Sequence, residues 1–240
     1  MFLPVKLSVD HHQAQRLKPP TCAIPPLLTT DIDGTLLSSL FENETTEAHG
    51  VPDYTFQSKN VWLRPGVRSF LQAVRPFFEV AVFTAATSDW ADRALAELDP
   101  TGELIDHRLY REHTTPAPGW PYVKDLSRLG RDLRNVVLVD DNELMFQAQP
   151  HNAVWVHAFE PGHAQDDVLD QVLQMLLLMV LPADDVTACL KHFSGLKIMP
   201  QQSPALQLAL FVAPVALLFA LVWGRLPIDD PPEYFRFVDD

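Results

Sequence analysis

Cysteine is scarce. The 240 residues include only Cys22 and Cys189, far apart and without metal-ligand spacing. That excludes a disulfide framework and a cysteine-ligated zinc site, and it fits a reducing compartment. Positive charge is short as well. Lys and Arg total 18 against 31 Asp and Glu, a formal net charge of −13. A nucleic-acid-binding domain would carry a basic footprint instead, so no direct nucleic-acid partner is expected. A chain this acidic that handles an anion must build positive charge locally, from a few Lys or Arg and a bound cation. Residues 1–26 lack the continuous apolar core of a secretory signal, and Pro4, Pro19 and Pro20 would interrupt an amphipathic targeting helix. This stretch is expected to be a flexible lead-in. No internal repeat is present, and the nine His are scattered as surface or core side chains.

What is present is a globular composition, with 47% apolar and 20% charged residues. Residues 27–32 read as a short strand ending in acid. Residues 38–60 are polar and mixed, a loop with one hairpin arm. A helix starts at Pro65-Gly66 with Val67, Phe70, Leu71 and Val74 on one face, and stops before Pro76. Residues 79–84 form a nearly continuous apolar run, as in a strand buried on both faces. Ser88 and Asp89 read as caps of a second helix over 90–98. Residues 106–120 look irregular around Pro116, Pro118 and Gly119. A helical turn over 125–129 closes at Gly130. Strands follow at 135–140 and 153–156, then helical segments over 166–181 and 183–193. Strands alternating with helices predict an α/β fold with a Rossmann-like parallel sheet flanked by helices. Ligands of such sheets sit beyond the strands' carboxyl ends, where Asp31, Thr84 and Asp140 all fall.

Those strand ends carry the chemistry. In Asp31-Ile32-Asp33-Gly34-Thr35, two carboxylates stand two residues apart, so both can face one side of an extended chain. One can attack phosphorus while the other moves protons, provided a cation suppresses their repulsion. Gly34 permits a sharp turn. Asp140-Asp141 supplies a second acidic pair suited to Mg²⁺, a hard ion that takes oxygen ligands. Lys124 offers the cation a phosphate pocket needs, and Thr84 a strand-end hydroxyl.

These segments, with Arg64-Pro65-Gly66-Val67, Val82-Phe83-Thr84-Ala85, Leu109-Tyr110-Arg111-Glu112 and the string from Tyr122-Val123-Lys124-Asp125-Leu126-Ser127 to Asp132-Leu133, resemble a known family. It is the RNA-polymerase-II CTD phosphatase and small-phosphatase (NLI-interacting-factor-like) branch of the haloacid-dehalogenase superfamily, over residues 27–193. The resemblance implies a haloacid-dehalogenase fold and a Mg²⁺-dependent protein serine/threonine phosphatase. Asp31 would be the nucleophile that forms an aspartyl-phosphate, and Asp33 the acid and then the base. Thr84, Lys124 and Arg111 would bind substrate. Mg²⁺ would sit on Asp31, the Asp33 carbonyl, Asp141 and Asp140. The departures are Gly34 where many members of the branch carry Glu, Asn142-Glu143 in place of Ser-Pro, Trp90 where Tyr is frequent, and a polar Thr29-Thr30 in the first strand. The implied substrate is a phosphoserine or phosphothreonine protein. A small-molecule substrate is disfavoured because no sizeable cap insertion shows between Leu37 and Val61.

Residues 205–224 carry no charge and match the roughly 20 residues a bilayer requires. They are expected to form an apolar C-terminal helix that spans a membrane, the alternative being a helix that packs on the domain or a partner. The expected organisation is therefore a lead-in at 1–26, a phosphatase domain at 27–195, a transmembrane helix at 205–224 and an acidic tail at 225–240. A tail-anchored protein of this kind resembles the Dullard type, which implies the endoplasmic reticulum or nuclear envelope, with the catalytic domain on the reducing side. The rival expectation is a catalytically weak or silent receptor, because some relatives act as import receptors in the mitochondrial presequence translocase.

Overall fold

A computed structural model describes residues 25–162, 166–181 and 183–200 of the chain. Its centre is a sheet of six strands in the order β11-β10-β9-β1-β5-β6, every neighbouring pair parallel. The strands are β1 (Leu27–Thr30), β5 (Glu79–Phe83), β6 (His107–Leu109), β9 (Val136–Asp140), β10 (Ala153–Val156) and β11 (Lys197–Ile198). Every residue of β1 and β9 is buried, as expected of strands covered on both faces. Thr29 stays buried at no cost in hydrogen bonding, since its hydroxyl donates to the Val137 carbonyl at 2.9 Å.

The first helix follows the predicted periodicity. In α1 (Val67–Val74) the buried side chains are Val67, Phe70, Leu71 and Val74, one stripe at the spacing of a 3.6-residue period. Gly66, at φ 76°, turns the chain into it. α2 (Ser88–Leu98) buries Ala91, Ala94, Leu95 and Leu98. Its N-cap is Thr87, which corrects the expectation that Ser88 and Asp89 cap it; both lie in the first turn. The buried Asp99 closes the helix by accepting the N–H groups of Glu103, Leu104 and Ile105, so its charge is met by backbone donors. α3 (Val168–Met175) continues into a π-helical turn at Leu176–Val180, and α4 (Val186–Leu190) is short, with Asp185 as its N-cap.

Two further corrections concern segments expected to be loops. Residues between Leu37 and Leu63 form a three-stranded antiparallel sheet in the order β2-β4-β3, from β2 (Leu37–Phe41), β3 (Tyr54–Phe56) and β4 (Lys59–Leu63). This small sheet follows the turn after β1, and its Ser39 hydroxyl reaches the Asp33 carboxylate. Residues 106–120 contain the edge strand β6 and the first arm of a hairpin, β7 (Thr115–Ala117), which pairs with β8 (Trp120–Val123). The expected apolar helix at 205–224 lies outside the described residues, as do residues 1–24 of the lead-in expected at 1–26 and the tail at 225–240. Among the described residues no helix is long and apolar enough to cross a membrane.

Register fixes where the site must be. Thr30 pairs with Val82 on one side and Val139 on the other, so β1, β5 and β9 end nearly level. From β1 the chain builds outward first to β5 and β6, then returns to place β9, β10 and β11 on the opposite side. The boundary between β1 and β9 is thus a topological switch point, where diverging connections leave a crevice.

Candidate active site

The crevice is lined first by the turn that follows β1. The Asp31 N–H donates to the Val139 carbonyl at 2.9 Å and so extends the ladder by one residue. The Ile32 carbonyl then accepts the N–H groups of Thr35, Leu36 and Leu37 at 3.3, 2.9 and 3.1 Å, folding the chain back on itself. Gly34 adopts φ 84°, and a Cβ there would lie 2.6 Å from an Asp141 carboxylate oxygen. Glycine supplies both the backbone conformation and the clearance.

Arg64 locks this turn from behind, a role that the sequence motif contains but does not reveal. Its guanidinium, 1% exposed, donates to the Thr35 carbonyl at 3.1 Å and the His157 carbonyl at 2.8 Å. Nε and Nη2 pair with the two Asp166 oxygens at 3.0 and 2.9 Å. The fork geometry of Arg lets one buried cation satisfy a carboxylate and two loops together.

Three carboxylates meet at the switch point. Oxygens of Asp31, Asp140 and Asp141 lie within 4.8 Å of one another. Lys124 bridges two of them, its Nζ 2.6 Å from both Asp31 Oδ1 and Asp140 Oδ2, with no exposure of its own side chain. The β7–β8 hairpin delivers this lysine, and its backbone N–H is anchored on the Met145 carbonyl at 2.8 Å. Asp140 Oδ1 accepts the Asn142 N–H, and Asp141 accepts the Thr35 hydroxyl at 3.2 Å. The Asp141 carbonyl is held by the Trp155 indole N–H at 2.9 Å.

The electrostatics show a charge deficit. Burial pushes the Asp140 carboxyl up, with Asp31 adding to the shift and Lys124 opposing it. Burial and Asp31 likewise push Asp141 up. Burial disfavours charge on Lys124, but Asp140 and Asp31 more than offset it and hold the amine protonated. One ammonium therefore faces three carboxylates in a poorly solvated pocket. Such an oxygen-only donor set fits a small divalent cation such as Mg²⁺.

Asp33 stands apart from that triad. Its carboxylate accepts the Ser39 hydroxyl at 3.3 Å and the Trp90 indole N–H at 3.1 Å, so α2 and the small sheet orient it. Burial, with help from Asp31, raises its pKa to about 6. A carboxyl tuned to that range can both give and take a proton near neutrality.

Thr84 is buried just past β5. Its N–H donates to the Leu109 carbonyl and its hydroxyl accepts the Ala86 N–H at 3.0 Å. Arg111 lies further out. It donates from Nε to the Ala85 carbonyl at 2.7 Å, packs over the Tyr122 ring at 4.9 Å, and forms no ion pair among the described residues. The structure thus gathers Asp31, Asp140, Asp141 and Lys124 tightly, flanks them with Asp33 and Thr84, and leaves Arg111 on the rim beside the Thr84 turn.

Comparison with known proteins gives this geometry a context. A family model described as NLI interacting factor-like phosphatase matches residues 26–187. A Dictyostelium discoideum protein named "Probable C-terminal domain small phosphatase" is 37% identical over 162 residues, covering 66% of this chain and 52% of the relative. The mitochondrial import inner membrane translocase subunit TIM50 of Kluyveromyces lactis is 33% identical over 138 residues, 58% of this chain and 28% of the relative. The chain thus spans about half the length of the first of these and under a third of the second. The solved structure of Fcp1, an essential RNA polymerase II CTD phosphatase, superposes with a TM-score of 0.48 at 20% identity, covering 87% of this chain and 55% of that one.

Proposed function

The chain belongs to the NLI interacting factor-like phosphatase family, and from that premise we propose that it is a Mg²⁺-dependent phosphatase acting on phosphoserine or phosphothreonine in proteins. The observation that carries this reading is the buried Lys124 bridge between Asp31 and Asp140, with Asp141 beside it. An intact acid triad of this kind has no structural use on a sheet rim, since burying like charges together weakens a fold.

Asp31 is the nucleophile. One of its oxygens forms a bond to phosphorus as the bond from phosphorus to the serine or threonine oxygen breaks. Asp33 gives its proton to that leaving oxygen. The resulting Asp33 carboxylate then takes a proton from water, whose oxygen attacks the aspartyl-phosphate, releasing phosphate and restoring Asp31. Lys124 and the Thr84 hydroxyl hold phosphoryl oxygens. A Mg²⁺ ion on Asp31, Asp140 and Asp141, with the Asp33 carbonyl, would supply charge stabilisation for the transferring group. Phosphoryl transfer needs little beyond such positioning and charge, and Arg64 contributes by fixing the turn that carries both acids.

A second reading has its own support, the 33% identity to a TIM50 subunit. In that case the fold would serve as a receptor. The two part company in one assay, hydrolysis of p-nitrophenyl phosphate by the full chain with Mg²⁺ or with EDTA, beside Asp31→Asn. The phosphatase reading predicts turnover that EDTA abolishes and Asp31→Asn lowers by at least about a thousandfold. No turnover from folded, Mg²⁺-supplied protein would turn the reading to a receptor. Residues 205–224 are proposed to anchor the chain in the endoplasmic reticulum or nuclear envelope, on the strength of their length and lack of charge. Release by alkaline carbonate would count against the anchor.

A further inference from the structure

Next to the acid triad, the small antiparallel sheet presents a cluster of different chemistry. Register sets Lys59 of β4 opposite Phe41 of β2 and opposite Phe56 of β3, so the three side chains form a row on one face. The Lys59 ammonium lies 4.8 Å from the Phe41 ring centroid and 4.5 Å from the Trp90 ring, while Phe56 stacks on Trp90 at 4.6 Å. Trp90 joins this row to the site. Its ring carries Lys59, and its indole N–H is the one that holds Asp33. A fixed cation therefore sits one indole away from the proposed proton donor.

A lysine lying over aromatic rings can be plain surface cover. Two features of this one point to a ligand. First, in a chain with 31 Asp and Glu, Lys59 is in direct ion-pair contact with no described carboxylate; its charge reaches Asp33 only at longer range, where it partly offsets the upward push of burial on that carboxyl. Second, ring faces attract the ammonium but accept none of its three N–H bonds strongly, so its donors remain unspent where the exposed Phe41 forms an open lip. The two rings also restrict the lysine, which lowers the entropy lost on engaging an anion.

We propose that Lys59, held between Phe41 and Trp90, is a subsite for an anionic side chain of the substrate peptide, a carboxylate or a second phosphate close in sequence to the phosphorylated residue. The site would then favour acidic phosphopeptides. This inference rests on the phosphatase reading of Asp31 and Asp33.

The test measures kcat/KM of the full chain with Mg²⁺ on phosphoserine peptides of neutral background. Glu, Gln or a second phosphoserine is placed at each position around the scissile group. At one position, Glu or the second phosphate should raise kcat/KM about fivefold or more over Gln, and about 0.5 M salt should erode the gain. Either anion alone supports the subsite and identifies its ligand. The ratio should fall to about one in Lys59→Gln and invert in Lys59→Glu. A wild-type ratio near one at every position overturns the proposal even if neither variant folds, and so does a preference that survives Lys59→Gln. Turnover of p-nitrophenyl phosphate by the same preparation separates the failures. Turnover without acidic preference removes the subsite alone, whereas no turnover of any substrate removes the phosphatase reading and the subsite with it.

Discussion

Asp31 and Asp33 are the same residue type two positions apart, and their surroundings divide the labour between them. Lys124 donates to Asp31 at 2.6 Å and fixes its position. Asp33 has no cation in contact, only the weaker donors Ser39 and Trp90, and burial lifts its pKa to about 6. A proton donor matters most when the leaving group is poor. Asp33→Asn is therefore expected to lower kcat on a phosphoserine peptide by about 10²–10³, and on p-nitrophenyl phosphate by distinctly less. Equal losses on the two substrates would deny Asp33 the acid role. At this scale the sequence was informative for residues that stand at strand ends. Asp31, Thr84 and the Asp140-Asp141 pair could be placed by counting from apolar runs, and Lys124 stood out only within its Tyr122-Val123-Lys124-Asp125-Leu126 string. Arg64 and Lys59 could not, because their meaning lies in contacts across 102 residues to Asp166 and in ring contacts with Phe41 on the next strand and Trp90 on α2.

Among the elements, those buried on both faces were the legible ones. The runs that became β1, β5 and β9 are apolar or end in acid, and α1 shows its stripe at 67, 70, 71 and 74. The small sheet hid because its strands carry Ser, Thr, Asn and Lys on open faces. Its tight turn also uses Gln57-Ser58 rather than the Asn-Gly that marks such hairpins. Both turn residues have positive φ, 50° and 57°, a conformation that costs side-chain-bearing residues. Replacing the pair with Asn-Gly should stabilise the fold by about 1 kcal/mol, read as a higher urea midpoint at unchanged slope. A lower midpoint would mean that the turn is held by contacts of Gln57 or Ser58 themselves. The β7–β8 hairpin escaped for another reason. Pro116 and Pro121 sit within its strands, where a two-stranded ribbon tolerates them on positions free of the ladder.

For the whole molecule, the net charge of −13 and the triad make one argument. The fold concentrates negative charge where β1 and β9 diverge and supplies one buried lysine against it, so a bound cation should stabilise the native state. Millimolar Mg²⁺ is expected to raise Tm by roughly 2–4 °C, and Asp141→Asn to remove most of that gain. A Tm indifferent to Mg²⁺ would argue against a metal on the triad. Fold class followed from alternation of buried strands with helices. The edge strands β6 and β11 did not, since three and two residues give no period to read.

The central claim is that Asp31 takes the phosphoryl group. It is met most directly by acid-quenching a single turnover of a phosphopeptide carrying a labelled phosphoryl group, then mapping the label on the protein. The account predicts a transient acyl-phosphate on Asp31, longer-lived in Asp33→Asn and absent in Asp31→Asn. Turnover that proceeds with no label on the protein, or with label on another residue, would contradict it.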